Sequence, residues 1–158
     1  MIKAVFPGSF DPPTLGHLDI IERVSALFDE VAVVIAENNQ KKYLFSAEER
    51  QKMLEELVKP FHNVRCVVWS SLIVDFMQKE NSRILIRGLR GMDDFSYEFE
   101  LSMMNKVMCP QIETFFMSTD PRYIVLRSSS IKDLAAYNGD ISPMVPSLVI
   151  DALKKKFA

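Results

Sequence analysis

Five short apolar runs alternate along the chain with longer segments in which apolar residues recur every three or four positions. The short runs predict buried parallel strands, and the longer segments predict amphipathic helices. The predicted strands are Ile2–Phe6, Val31–Ile35, Val64–Val68, Arg83–Ile86 and Thr114–Met117. The predicted helices cover residues 15–27, 47–59, 71–80, 93–108, 129–137 and 145–156. This alternation predicts an α/β fold, a doubly wound parallel sheet of five strands with helices on both faces.

The second helix and the segment before it carry further local signals. Ser46-Ala47-Glu48-Glu49 is a capping-box pattern that starts a helix, and Pro60 marks the end of that helix. Residues 37–45 show no clear period and contain several polar side chains. We therefore expect them to form a mobile loop at the carboxyl end of the second strand.

Length and composition narrow the class of protein. With 158 residues, 48% of them hydrophobic and 25% charged, the chain is expected to form one globular domain over residues 1–158. The net charge of −2 argues against a nucleic-acid partner, and an anionic ligand would need locally concentrated positive charge. No run approaches the roughly 18 apolar residues of a membrane span, and we expect no signal peptide before the first strand. Cys66 and Cys109 lack metal-ligand spacing and are expected to be reduced thiols in a cytoplasmic protein.

The residues with chemical potential follow the ends of predicted strands. They are Pro7–His17 after the first strand, Lys41 after the second, Arg87–Arg90 after the fourth and Ser128–Ser130 after the fifth. Because ligands of open α/β sheets bind beyond the carboxyl ends of the strands, we expect these four segments to converge on one anionic site. Free N–H groups at the helix opening near Ser128 are suited to phosphate.

The turn after the first strand contains the most specific candidates. Gly8 lets the backbone approach a ligand closely, and Ser9 offers a hydroxyl beside it. His17 either caps its own helix or stabilises a phosphoryl centre in the crevice, and we favour the second interpretation. The chain contains no GxxxxGK[ST], GxGxxG, HExxH or CxxC motif and no obvious carboxylate pair for a general base. A reaction whose nucleophile is already an anion fits that pattern.

Thr14-Leu15-Gly16-His17 resembles the (H/T)xGH motif of the nucleotidyltransferase superfamily. With the lead-in Gly8–Pro12, the segment is similar to that of bacterial phosphopantetheine adenylyltransferases. Further agreement comes from Lys41–Arg50, Ile86–Arg90 and Asp94–Glu98, and the resemblance runs from Ile2 to about Pro146. It implies a Rossmann-like fold.

The resemblance also implies a reaction, in which an adenylyl group passes from ATP to 4′-phosphopantetheine to give 3′-dephospho-coenzyme A and pyrophosphate. Mg²⁺ would accompany ATP without a dedicated protein site. The implied catalytic residue is His17, and the implied phosphopantetheine-binding residues are Ser9, Lys41, Ile73 and Arg87. The implied ATP-binding residues are Ser9, Phe10, His17, Gly88, Leu89, Arg90, Glu98, Tyr123, Ile124, Val125, Leu126, Arg127, Ser128 and Ser129.

Some positions depart from the family pattern. Arg127 stands where the first serine of an Ile-Ser-Ser-Ser motif is common, Tyr123 replaces a frequent Trp, and Tyr43 lies near a common Pro. Two alternatives stay open. One is a nucleotidyltransferase of the same fold that acts on nicotinate mononucleotide or a small alcohol phosphate. The other is a non-catalytic nucleotide-binding module.

The helix predicted at 93–108 carries two apolar stripes on roughly opposite sides. One stripe contains Met92, Phe95, Phe99 and Met103, and the other contains Tyr97, Leu101, Met104 and Met108. A surface helix needs only one apolar face, so we expect the second to meet another chain. The resemblance implies a hexamer.

Overall fold

The computed structural model describes all 158 residues and contains five strands, six α-helices and a short 3-10 turn. The strands are β1 (Lys3–Gly8), β2 (Glu30–Ala36), β3 (Val64–Trp69), β4 (Ile84–Leu89) and β5 (Glu113–Ser118). The helices are α1 (Leu15–Leu27), α2 (Ala47–Val58), α3 (Ile73–Lys79), α4 (Met92–Met108), α5 (Ser128–Ala136) and α6 (Ser147–Phe157), and the 3-10 turn is Pro121–Tyr123. Every predicted strand and helix is present, which confirms the predicted α/β class.

All strands pair in parallel, in the order β3-β2-β1-β4-β5. The chain builds the sheet outward from β1 to β3, crosses back to place β4 on the other side of β1, and ends with β5. The direction of growth therefore reverses between β1 and β4. In open α/β sheets, a crevice for ligands forms at this switch point, outside the carboxyl ends of the strands.

Two apolar cores cover the two faces of the sheet, because successive strand residues point to opposite sides. On one face, Val33 of β2 belongs to a core that includes Val24 of α1 and Leu54 of α2. On the other face, the neighbouring Val34 belongs to a core that includes Phe76 of α3. The helices thus lie on both faces, as predicted.

The two cysteines lie in different cores, Cys66 on the α1–α2 face and Cys109 on the α3 face. Both thiols are free. Burial, with a smaller effect from the nearby charge of Glu55, raises the pKa of the Cys66 thiol to about 12. Because the thiolate is the reactive form, this cysteine is a packing residue at neutral pH.

A third apolar cluster holds α5 and α6 against α2. It includes Phe45 just before α2, Met53 within α2, Ile131 of α5, and Val149 and Leu153 of α6. These contacts fix the N-terminus of α5 next to the loop that leads into α2.

Strand β4 ends later than the apolar pattern indicated. The predicted run stopped at Ile86, but parallel pairing continues through Gly88 opposite Met117 and Leu89 opposite Ser118. Backbone hydrogen bonds do not require apolar side chains, so the pattern missed this extension. As a result, Arg87 projects from the strand itself, at the edge of the crevice.

Helix α4 keeps members of both apolar stripes exposed. Phe95 packs edge-on against Phe116 of β5 with ring centroids 5.7 Å apart. Phe99 is nevertheless 45% exposed on one stripe, and Tyr97 is 63% exposed on the other. The helix packs mainly on β4 and the edge strand β5, and this contact does not cover either stripe fully. No helix of the structure is long and apolar enough to cross a bilayer.

Candidate active site

A cavity of about 710 Å³ lies at the carboxyl ends of the strands, beside the switch between β1 and β4. The structure brings residues from all four predicted segments into its wall. The lining includes Ser9, Phe10, His17, Lys41, Arg87, Gly88, Arg90, Glu98, Tyr123, Leu126, Arg127, Ser128 and Ser129. The strands therefore deliver separate stretches of sequence to one crevice, as their parallel order requires.

His17 occupies the third position of α1 and caps that helix. The Thr14 backbone N–H donates to His17 Nδ1 at 3.0 Å, and the His17 N–H donates to Thr14 Oγ1 at 3.3 Å. A backbone N–H can only donate, so Nδ1 is an acceptor and a neutral ring carries its proton on Nε2. The cap thereby fixes both the tautomer and the orientation of the imidazole.

The charge state of His17 follows from its surroundings. Burial of the ring, with a smaller contribution from the Arg90 cation, lowers the pKa of His17 to about 4. At neutral pH the ring is therefore uncharged, and Nε2–H is a hydrogen-bond donor with no acceptor in the protein. The capping and functional interpretations of His17 are compatible, because each uses a different ring nitrogen.

Phe10 supports the imidazole from the side. Its ring meets the His17 ring edge-on at 4.9 Å, and its backbone is in the left-handed region with a φ of 49°. A Cβ added at Gly8 would lie 3.0 Å from the Phe10 ring. The missing side chain at Gly8 thus makes room for this ring, and Gly8 also lines the cavity, so its close approach to a ligand stays a prediction.

Arg87 and Glu98 form a two-pronged ion pair across the cavity wall. Arg87 Nε and Nη2 each donate to one carboxylate oxygen of Glu98 at 2.6 Å, and Nη1 donates to the Pro7 carbonyl at 3.1 Å. The resemblance assigned these two side chains to different substrates. In the structure they hold each other, which fixes the arginine fork at the edge of the site.

Arg90 is held in a similar way by Asp94, which lies in the first turn of α4. Arg90 Nε and Nη2 donate to the Asp94 carboxylate at 2.9 and 3.1 Å, and Nη1 donates to the Leu126 carbonyl at 3.2 Å. Partial burial would raise the pKa of Asp94, but its bonds with Arg90 and a smaller effect of the Arg127 charge keep it below its usual value. The carboxylate thus remains ionised and keeps the Arg90 fork fixed.

The cavity concentrates positive charge in a chain whose total is −2. Its wall contains six basic side chains and two acidic ones. Lys41, Lys42 and Arg127 form no ion pair within the chain, so their charges are available to a ligand. This is the local concentration of cations that an anionic ligand requires.

One ion pair of the cavity wall escaped sequence reasoning. Buried Asp11 accepts hydrogen bonds from the Leu44 and Phe45 N–H groups at 3.0 and 2.9 Å, and Lys132 Nζ lies 2.8 Å from the same carboxylate. The position of Lys132, four residues after Ser128 on α5, was a usable signal, because residues four apart share a helix face. Asp11 lies within the predicted segment Pro7–His17, but its partners are distant in sequence and gave no signal.

Some residues implied by the resemblance lie off the cavity wall. Leu89, Ile124 and Val125 are outside the lining. Ile73 begins α3 and packs against the apolar core on that face of the sheet. The cavity also has no built metal site, because no group of three or more His, Cys, Asp or Glu side chains is positioned to share an ion. The Asp11 and Glu98 carboxylates already accept from Lys132 and Arg87.

Comparison with known proteins places this geometry in a family. Residues 5–134 match the cytidylyltransferase-like family. A phosphopantetheine adenylyltransferase of Clostridium tetani is 52% identical over 97% of this chain and 96% of the relative, and one of Dictyoglomus thermophilum is 49% identical over 99% and 96%. A solved structure from Vibrio parahaemolyticus has the same fold, with a TM-score of 0.69. It is described as a candidate nicotinate-nucleotide adenylyltransferase and is 22% identical, and the match covers 98% of this chain and 99% of that one. The chain belongs to the cytidylyltransferase-like family and, within it, to the phosphopantetheine adenylyltransferases.

Proposed function

We propose that this protein transfers the adenylyl group of ATP to 4′-phosphopantetheine, giving 3′-dephospho-coenzyme A and pyrophosphate in coenzyme A biosynthesis. The relatives named above support the choice of substrates. The observation that carries the chemistry is the neutral, capped His17 in a cavity rich in cations and without a free carboxylate base. We assign the whole chain, residues 1–158, to one catalytic domain.

The proposed reaction needs no general base. A phosphate monoester has a second pKa of about 6, so the phosphate of 4′-phosphopantetheine is largely a dianion at neutral pH. One of its oxygens attacks the α-phosphorus of ATP and forms the new O–P bond, while the bond from the α-phosphorus to the bridging oxygen breaks and pyrophosphate leaves. Catalysis then depends on positioning and charge stabilisation.

We assign His17 Nε2–H to the developing negative charge on the α-phosphate. A neutral donor fits this role because it adds a hydrogen bond without releasing or taking a proton. Arg90 lies close enough to His17 to influence its pKa, and we place its guanidinium near the same centre.

Most residues of the wall are assigned to one of the two substrates. Lys41 and Arg87 are assigned to 4′-phosphopantetheine, and Ser9 is assigned to both substrates. The residues assigned to ATP are Phe10, His17, Gly88, Arg90, Glu98, Tyr123 and the opening of α5. Mg²⁺ enters as part of the MgATP substrate, since the wall offers it no cluster of protein ligands.

Pyrophosphate release from ATP and purified protein tests the proposal. We expect release with 4′-phosphopantetheine as acceptor and none without an acceptor. Release only with nicotinate mononucleotide or a small alcohol phosphate would favour the alternative transferase. Binding of ATP without turnover on any acceptor would favour a nucleotide-binding module.

We also propose that the chain self-associates through α4, as a hexamer by family resemblance. Val107 is 83% exposed and Met92 is 76% exposed, and Tyr97 and Met104 are also mostly accessible. A helix with this many exposed apolar side chains is a candidate for contact with a second copy.

A further inference from the structure

Arg50 lies outside the cavity wall, yet it bonds to two segments that form the wall. Its side chain is fully buried at the start of α2. Nη1 donates to the Ser9 carbonyl at 2.8 Å, Nη2 donates to Glu37 Oε1 at 2.6 Å, and Nε donates to the Phe45 carbonyl at 3.1 Å. The guanidinium carbon also sits 4.1 Å from the centre of the Tyr43 ring.

A contribution to stability does not by itself explain why a fully buried arginine occupies this position. Burying a charge has a large desolvation cost, and well-packed apolar residues often replace a buried ion pair without loss of stability. An arginine fork has a different capacity, because its rigid plane holds several acceptors at fixed directions. The acceptors of Arg50 therefore indicate what its fork organises.

Two of those acceptors stand at the two ends of one loop. Glu37 follows β2 directly and Phe45 precedes α2, so Arg50 fastens both ends of residues 37–45. This loop carries Lys41 and Lys42 to the cavity wall. The third acceptor, Ser9, belongs to the turn after β1, on the other side of the fork.

The bond to Ser9 also orients a backbone donor. The Ser9–Phe10 peptide is trans, so its carbonyl and its N–H point in opposite directions. Arg50 holds the carbonyl from outside the cavity, which directs the Phe10 N–H the other way. That N–H donates to no acceptor in the protein, and both residues line the cavity.

We propose that Arg50 is a positioning residue for the reaction. It fixes the Ser9–Phe10 peptide, with the Phe10 N–H aimed at substrate phosphate, in register with the loop that carries Lys41. Arg50 itself touches no substrate. This inference rests on the proposed function, because the groups that it aligns are those assigned to ATP and to 4′-phosphopantetheine.

Arg50→Lys tests the inference. The variant keeps the positive charge and removes the planar fork, and one ammonium cannot reach Ser9, Glu37 and Phe45 together. We expect kcat at 20 °C to fall about 10- to 100-fold, the scale of a misplacement of about 1 Å, with a smaller change in either KM. Circular dichroism confirms that the variant is folded at the assay temperature.

Ile112→Ala is the control for general destabilisation. Ile112 is buried directly before β5, at the amino ends of the strands, and no member of its core lines the cavity. The variant should lower the melting temperature while leaving kcat within about twofold of the parent, since the lost packing lies at the opposite edge of the sheet. If Ile112→Ala loses kcat as Arg50→Lys does, the loss reflects general destabilisation and the inference is wrong.

The other possible results of these experiments also test the role of Arg50. A parent protein that releases pyrophosphate and an Arg50→Lys variant with the same kcat would overturn the inference and leave the proposed function intact. A parent that releases none would overturn both. If Arg50→Lys does not fold, Glu37→Gln replaces it, because it weakens the hold on Nη2 at a partly exposed position. A folded Glu37→Gln variant should lose kcat in the same direction, and an unchanged kcat would count against the inference.

Discussion

Replacing His17 with alanine should cut kcat by roughly 10²–10³, the usual cost of losing one hydrogen-bond donor to transition-state charge. KM for both substrates should change little, because the bond is assigned to the transition state and not to ground-state binding. Initial rates of pyrophosphate release at saturating ATP and 4′-phosphopantetheine measure the effect. An unchanged kcat would refute the assignment of His17 as the catalytic donor.

The same substitution removes a helix cap, and the two effects must be separated. Losing the bond from the Thr14 N–H to Nδ1 should cost about 1 kcal/mol of stability, as for other caps. His17→Gln separates them, because Gln is an ordinary residue at this position of a capping box and can accept from the same N–H. We expect the Gln variant to regain most of the stability while its kcat stays well below that of the parent.

The pH dependence of stability tests the charge state of His17. The pKa is about 4 in the folded protein and 6.5 in the unfolded chain. Between these values the unfolded state binds a proton that the folded state does not, so stability falls as the pH is lowered from 6.5 to 4. With about 1.4 kcal/mol per pKa unit, the loss attributable to His17 is at most about 3 to 4 kcal/mol, and less where the cavity admits water.

The parent and His17→Gln should therefore converge or cross in unfolding free energy as the pH falls. Urea unfolding of both proteins at several pH values between 4.5 and 7 gives the comparison, and all other titrating groups cancel between them. A constant difference over this range would show that the folded-state pKa of His17 is not depressed. The neutral-donor argument would then fail, whatever the kcat of the variants.

Substitutions at three other positions test the remaining assignments. Lys41→Ala should raise KM for 4′-phosphopantetheine more than KM for ATP. The control Lys52→Ala, on the exposed side of α2, should change neither KM. A selective loss of ATP affinity in calorimetry would contradict the assignment of Lys41 to 4′-phosphopantetheine. Arg127→Ala should raise KM for ATP several-fold, and Arg127→Ser should raise it less. If both variants bind ATP with the affinity of the parent, Arg127 does not contribute to ATP binding. Val107→Glu should reduce the mass measured by light scattering at micromolar concentration, and a parent that is already monomeric would refute self-association through α4.

The fold was predictable because each element has a local signal. Buried parallel strands need continuous apolar runs, and helices that cover one sheet face need an apolar stripe, so the pattern located every element. The Ser46–Glu49 capping box was correct as well, with both reciprocal bonds formed. Strand β4 extended beyond its apolar run because pairing of its last residues depends on β5, which a local pattern does not register.

The site was predictable only in part. Parallel topology brings strand ends together, so the segments that form the wall could be inferred from their order. The contacts among their side chains could not be inferred. Arg87 bonds to Glu98, eleven residues later in the sequence, and Arg50 bonds to Ser9, 41 residues earlier. Such contacts depend on how loops pack after the sheet has formed. Arg50 ends the family-like segment Lys41–Arg50, but nothing in that segment indicates which distant acceptors its side chain binds.

The hydrogen bonds and ion pairs within the protein divide the polar residues of the cavity wall into two groups with different roles. Arg87 and Arg90 are held by carboxylates and carbonyls, and His17 is held by its cap, so these groups are fixed before substrate arrives. Fixed donors stabilise a transition state well because they need no reorganisation when charge develops. Lys41 and Arg127 line the same cavity and have no ion-pair partner within the chain, so they can follow the phosphates of a ligand. Substitutions at the fixed groups should therefore act mainly on kcat, and substitutions at the unpaired cations mainly on KM.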